Sequence, residues 1–438
     1  MNWEVLGPSA VVRAPVAAVA ESSAVVPRGH HYTVPVISRA INLVLSGNTT
    51  FRAAAQSFLV LEQAACPTFW TLRWWVLRLG LYAVQRAKPL ASDWVFIVDA
   101  TIAVGQHKAL VILGARLTAM AQRGFNLGHQ DVVTLDLKIL TRCDGLTVQA
   151  RLEAAAQAVG VPRLVVSDSG GDVKKGVRLF REAHPEVDWN YDLTHRLARL
   201  LEKELGPTTW WPDFLTRVGQ CRRACQQTEW SHLLPPVQRT KARWFNLEPL
   251  ISWGLSVLAV GRQKGLTKGK FAQLFGWLTG FEAGLREAGQ IVGMMQAVCA
   301  LIKEKGINSA QVDECAQRIA DFGKTERAQA FGRQILEFLR AQAAHVRPGE
   351  TLLGSSDVIE SVFGKYKAVV ERSPLKAMTV MVLLVAALTS ERTPAVIQKA
   401  METVGVAEVE AWFEANGEPS LLAKRRAAFR DKEGIEHA

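Results

Sequence analysis

The sequence predicts a mixed α/β protein: an α/β core, a long all-helical insertion, and a helix-turn-helix region in front. Three observations predict it. Apolar runs of strand length recur between residues 94 and 192 and alternate with helical stretches. No strand pattern stands out between residues 205 and 346, where an apolar helical period is punctuated by Gly and Pro. Near the N-terminus, two short helical stretches flank a Gly-containing turn. At 438 residues the chain is too long for one ordinary core, and 49% hydrophobic with 21% charged residues excludes a disordered or fibrous protein.

Residues 1–30 carry little pattern and read as a loose arm. A helical rhythm begins at Val34, breaks at Ser46, Gly47, Asn48, Thr49 and Thr50, and resumes at Phe51. A third helical stretch, residues 68–84, carries Trp70, Arg73, Trp74, Trp75 and Arg78. Helix, turn and Thr-capped helix are the parts of a helix-turn-helix, in which one helix enters the major groove and basic residues hold the backbone. Residues 31–90 are therefore expected to bind DNA, with Arg52 among the contacts.

The character changes at Trp94. Residues 94–99 form a continuous apolar run ending in Asp99, which reads as a buried strand. Residues 108–114 and 131–138 supply two further strands, and residues 146–158 have helical periodicity with Gly160 after them. Residues 162–168 make another buried strand that ends in Asp168. Ser169 to Gly176 opens a helix, and residues 187–192 are a fifth short strand. Residues 91–204 thus form the first part of the α/β domain, and residues 205–346 the insertion. Residues 347–390 return to the α/β domain with an amphipathic helix over 356–370 and a buried helix over 375–388. Residues 391–438 form a charged helical tail. No internal repeat is apparent.

Charge indicates the partner. Lys and Arg number 52 against 41 Asp and Glu, a net charge of +11, and a basic surface points to a polyanion. Residues 214–246 hold six basic side chains, among them Arg222, Arg223 and Arg243, against the single acid Glu229. Phe214, Trp230, Trp244 and Phe245 are interleaved with them. Such interleaving suits phosphate contacts beside stacking surfaces. A second basic cluster, Arg262, Lys264, Lys268 and Lys270, follows. The longest apolar run, residues 377–388, falls short of the ~20 residues a membrane span needs, so no membrane is expected. No secretory signal pattern opens the chain, and the six cysteines are scattered, which suits reduced thiols in a cytoplasmic location.

Three acids stand out by placement. Asp99 and Asp168 each end a predicted strand, and Glu360 lies on the helix of residues 356–370. Carboxylates at strand ends converge at the carboxyl edge of an α/β sheet, where such sheets place ligands. Three carboxylates with few His or Cys nearby suit a hard, oxygen-preferring ion such as Mg²⁺ or Mn²⁺. Taken singly, a strand-end Asp equally caps a turn.

Taken in order, these motifs resemble the DDE transposases of bacterial insertion sequences. The resemblance covers roughly residues 90–205 and 350–375, together with the N-terminal helix-turn-helix. Val98-Asp99-Ala100-Thr101 looks like the first-strand Asp, and Val166-Ser167-Asp168-Ser169-Gly170-Gly171 looks like the second. Asp192-Leu193-Thr194-His195 is similar to the (Cys/Asp)-x-x-His signature that follows it, and Glu360 with Lys367 seven residues on is similar to the terminal Glu helix. Leu353 and Ser356 occupy the places of the Tyr and Arg in the Tyr-Arg-Glu-Lys signature, a departure from the pattern. The spacing of 192 positions from Asp168 to Glu360 matches the insertion-bearing branches, although here the insertion reads as helical.

The resemblance implies an RNase H-like catalytic core. It also implies two-metal phosphoryl transfer on DNA, with Asp99, Asp168 and Glu360 as ligands to two Mg²⁺ or Mn²⁺ ions. It implies DNA partners, namely terminal inverted repeats and target DNA, bound by a homodimer or higher oligomer associated with the bacterial nucleoid. His195, Arg196, Lys174, Lys175, Lys365 and Lys367 are the expected supporting cations around the acids. The alternative is a catalytically silent DNA-binding protein of the same descent, a repressor or domesticated factor; an intact acidic triad favours the enzyme.

Rival chemistries fail on particular residues. Gly171 to Gly176 is followed by Val177 and Arg178, so the P-loop Lys and Ser/Thr are missing. His195 is followed by Ala198 where a tyrosine recombinase needs Arg. Cys221, Cys225 and His232 lack a fourth zinc ligand and read better as a helix face.

Overall fold

The computed structural model describes residues 25–61, 66–102, 107–168, 170–237, 244, 246–370, 378–417, 425–427 and 429. Three helices come first: α1 (Val34–Leu45), α2 (Phe51–Leu61) and α3 (Phe69–Gln85). Next come β1 (Trp94–Ile102), β2 (Lys108–Arg116), α4 (Leu117–Arg123), β3 (Val133–Leu140) and α5 (Gly145–Val159), then β4 (Leu164–Ser167), α6 (Gly171–Ala183) and β5 (Asp188–Tyr191). A helical stretch follows: α7 (Leu193–Leu205), α8 (Trp210–Cys225), α9 (Glu248–Gln263), α10 (Gly269–Phe275), α11 (Glu282–Lys305), α12 (Ser309–Phe322) and α13 (Glu326–Ala343). The chain then forms α14 (Asp357–Val370), α15 (Leu384–Thr389), α16 (Pro394–Thr403) and α17 (Val406–Asn416).

The five strands lie in the order β3-β2-β1-β4-β5. β1, β2 and β3 are antiparallel neighbours, whereas β1, β4 and β5 run parallel. This mixed sheet with its interposed helices is compatible with an RNase H-like core carrying a helical insertion. β1 is buried on both faces, which is why its apolar run is unbroken. Val95 and Ile97 join Val111, Leu113, Leu164 and Val166 on one face; Phe96 and Val98 join Ile112 and Val165 on the other. The second face is covered by α5 and α6 through Val148, Leu152, Val177 and Phe180.

The first face is covered by the N-terminal helices together with α14–α17. Ile37, Ile41 and Trp75 belong to the same continuous core as Ile97 and Val111, so the core does not stop at residue 90. α3 lies against β3 and α15. Gly80 permits that approach, since a Cβ there would stand 2.2 Å from the Leu383 carbonyl oxygen. The expected charged tail is packed over α16 and α17: Ile397 and Met401 share one face of α16 and are buried, as is Val409 of α17.

The helical segment has a second core, which begins at Leu193. Leu193, Leu197, Leu200, Leu201 and Leu205 give α7 one apolar face, and that face joins Trp211, Phe214, Leu285 and Phe331. A lone antiparallel bridge, Ile307 to Leu352, returns the chain toward the sheet.

Several boundaries differ from expectation. β1 runs three residues past Asp99 because β2 keeps pairing with it as far as Ile102, opposite Lys108. β3 starts at Val133, because Asp131 instead closes a turn by accepting the Gly128 N–H at 2.8 Å. The buried helix expected over residues 375–388 is, from Met378 on, a 3-10 turn (Val380–Leu383) that runs into α15. Its first three residues lie outside the described residues, as do residues 1–24 of the expected arm. Among the described residues no helix is long and apolar enough to cross a membrane.

Candidate active site

Strand pairing brings two acids together from 69 residues apart. Val98 of β1 is paired with Ser167 of β4, the last register between these parallel strands, and Asp99 and Asp168 follow at the carboxyl end of the pair. The Ala100 N–H donates to Asp99 Oδ1 at 2.6 Å, and the Gly170 N–H donates to Asp168 Oδ1 at 3.0 Å. Burial, reinforced by the negative charge of Asp168, pushes Asp99 up to about 6.

The third acid is placed by Asp192. This fully buried carboxylate follows β5, caps α7 by accepting the His195 N–H at 2.7 Å, and also meets His195 Nδ1 at 3.0 Å. Its other oxygen accepts the Ser356 N–H at 2.5 Å and the Ser356 hydroxyl at 3.0 Å, at the threshold of α14. The Leu193 N–H donates to the Gly354 carbonyl at 3.0 Å, and Asn190 Nδ2 donates to the Leu353 carbonyl at 2.9 Å. Further ties reach Asp357, on which Thr194 donates at 3.1 Å and Lys303 of α11 makes an ion pair. One turn into α14, Glu360 Oε1 lies 3.2 Å from His195 Nδ1, half-exposed at 44%.

The electrostatics match this crowding. Burial, with Asp192, Asp357 and Asp99 nearby, pushes Glu360 up to about 7 against the opposing charge of His195. Burial alone would lower His195. The Asp192 hydrogen bond and the charges of Asp192, Glu360 and Asp168 overcome it and raise the imidazole to about 9. Asp192 itself is held below the usual carboxylate range: its burial is outweighed by the donors from His195 and Ser356.

The paired carboxylates of Asp99 and Asp168 have the oxygen-donor chemistry that a hard divalent ion prefers. Glu360 faces His195 instead, and among the described residues no three His, Cys, Asp or Glu side chains form a group that could hold a metal ion.

The expected cations divide. The charge of Lys367, which is exposed, reaches Asp99. Lys174 and Lys175 are exposed on the first turns of α6, and the stem of Lys175 packs over Gly145. Lys365 does not face open space: its Nζ donates to the Leu45 carbonyl at 3.2 Å, at the end of α1. Arg196 lies over the Phe338 ring, 5.7 Å from its centroid, so it faces the helical core and not the acids. Arg222 is bonded to the Pro235 carbonyl, whereas Arg223 is exposed. Arg52 is exposed over Phe69, and Arg243 lies outside the described residues. Cys221 and Cys225 are buried in the helical core, with the Cys225 thiol on the Trp230 carbonyl at 3.0 Å and His232 outside on the surface. Sequence reasoning missed the Ser355–Ser356 pair, although serines directly before a helix are a readable capping signal.

No family model matches the chain, and no curated protein matches it. Among solved structures, the chain is similar to the Drosophila P element transposase strand transfer complex, at 11% identity and a TM-score of 0.39, over 84% of this chain and 92% of that one.

Proposed function

We propose that the chain is a DNA transposase that binds element ends and cleaves and joins DNA strands by metal-dependent phosphoryl transfer. The observation that supports this best is that Asp99 and Asp168 both follow the last paired register of the parallel strands β1 and β4, with Glu360 tied to His195 and, through it, to Asp192. Asp99 and Asp168 are the residues that would hold Mg²⁺ or Mn²⁺ ions, and Glu360 would join them as the third carboxylate ligand in place of its contact with His195. When bound, such ions activate the attacking water or 3′-hydroxyl and stabilise the leaving 3′-oxygen.

The chain's own residues prepare that site. Asp192 fixes the ring of His195 through Nδ1, and the charged ring holds Glu360. Lys367 adds positive charge beside Asp99, where a scissile phosphate would lie. The partners are DNA and further copies of this chain on it, and the setting is the bacterial cytoplasm. The engagement of Glu360 by His195 favours one second reading, a silent DNA-binding relative.

Cleavage of end DNA in Mg²⁺ separates the two. Asp99→Ala, Asp168→Ala and Glu360→Ala should each reduce strand cleavage by at least about a hundredfold, because ligand carboxylates act on chemistry. End binding should stay near normal, since phosphate affinity resides in Lys and Arg. A wild-type chain that binds ends but cuts nothing in Mg²⁺ or Mn²⁺ selects the silent reading.

A further inference from the structure

The first turn of α3 carries an exposed aromatic surface that the proposed cleavage chemistry does not use. Trp70 is 58% exposed, and the Phe69 and Trp70 rings lie with centroids 4.6 Å apart. Arg73, one turn on, sits between two indoles, 5.6 Å from the Trp70 centroid and 5.2 Å from that of Trp74. Arg52 of α2 lies over Phe69 at 5.5 Å. The two helices therefore present a surface of rings alternating with guanidinium groups. An indole left this open forgoes a large apolar burial, which marks a contact surface.

Charge identifies the occupant. Arg52 and Arg73 supply the charge of this surface, and the sequences of α1, α2 and α3 contain no Asp or Glu. Neither Arg52 nor Arg73 has an acidic partner among the described residues. Such a surface attracts a polyanion and disfavours a basic partner. Duplex DNA presents phosphates and base edges to its surroundings. Indole faces and guanidinium planes stack instead on base faces, which are open where a strand is unpaired. We propose that Phe69, Trp70, Arg52 and Arg73 form a stacking platform for unpaired bases of single-stranded DNA. The platform rests on the reading of the chain as a DNA-acting protein and gives the N-terminal helices a task other than reading duplex grooves.

The test uses the full-length protein at one fixed salt concentration, titrated into a labelled oligo(dT) and into a blunt duplex of equal length. Trp70→Ala should weaken oligo(dT) binding by about ten- to a hundredfold, the range for losing a stacked base. Blunt-duplex binding should stay within about twofold, and Trp70→Phe should keep most of the oligo(dT) affinity. An unchanged melting curve checks that the Ala variant is folded, as the exposure of Trp70 predicts. Equal oligo(dT) affinity in Trp70→Ala and wild type overturns the platform. So does an equal loss on both DNAs, which would make the surface a general backbone contact, and so does a loss of self-association with DNA binding intact. Wild-type binding to duplex but not to oligo(dT) sinks the platform alone; binding to neither sinks the DNA-acting reading with it.

Discussion

His195 is the residue on which two carboxylates depend. Its Nδ1 lies 3.0 Å from Asp192 and 3.2 Å from Glu360, so one ring links the buried cap of α7 to the half-exposed acid of α14. Replacing it removes the positive charge that faces Glu360 among the neighbouring carboxylates. His195→Ala should therefore slow cleavage by roughly one to three orders of magnitude, the range for losing a positioned electrostatic or acid–base group. Lys367→Ala should act similarly, because its charge bears on Asp99. Neither change should alter binding of uncut DNA much. Single-turnover cleavage beside a binding titration separates the effects, and an affinity loss with unchanged cleavage at saturation would reduce both residues to backbone contacts. The meeting of His195 with Asp192 was legible because the two stand at a fixed offset in the sequence. Arg196, the very next residue, was not: which way a helical side chain points depends on the neighbour it meets, here Phe338, 142 positions away.

At the scale of elements, α14 is held at both ends by parts of the chain far from it in sequence. Asp192 receives the Ser356 N–H at its start, Lys303 of the insertion pairs with Asp357, and Lys365 reaches the last carbonyl of α1. A helix leaves its final carbonyls without intrahelical partners, and a lysine there satisfies one while facing the negative end of the helix dipole. Lys365 thus clasps α14 to the end of α1. Lys365→Ala should lower stability by about 1 kcal/mol, within the ~0.5–1.5 kcal/mol that a typical intramolecular hydrogen bond contributes. DNA affinity should be unchanged. A urea titration read against an anisotropy titration decides the matter, and a DNA-binding loss without a stability loss would restore the original expectation. The strands that carry Asp99 and Asp168 were visible as apolar runs, because burial on both faces leaves no polar alternation. The short helix α4 and the late start of β3 were not: the Leu117 and Thr118 N–H groups that open α4 donate to Asp93, far back in the sequence, and Asp131 accepts the Gly128 N–H.

For the whole molecule, the question is whether the N-terminal helices form a detachable reader or part of the catalytic body. Their sequence suggests a separate unit, with a helix-turn-helix rhythm and its own basic character. The packing joins them to the sheet: Leu72, Trp75, Val76, Leu77, Leu79 and Leu81 of α3 are all buried in the core that contains Ile97, Val111 and Val166. Each such side chain contributes about 1.5–3 kcal/mol by leaving water, so six together contribute on the order of 10 kcal/mol. Typical domain stability is only about 5–15 kcal/mol, so the sheet cannot spare that layer. Deleting residues 1–90 should therefore do more than remove sequence selectivity. It should bare one face of the sheet together with the inner faces of α15 and α16, and the product should aggregate or bind a hydrophobic dye. Thermal unfolding followed by circular dichroism is the deciding measurement. A truncated chain that stays monodisperse and melts cooperatively near the full-length temperature would show that the helices are dispensable to the core. Loss of the cooperative transition would instead mean that DNA binding by these helices must be dissected with surface substitutions, because truncation removes the fold along with the contact.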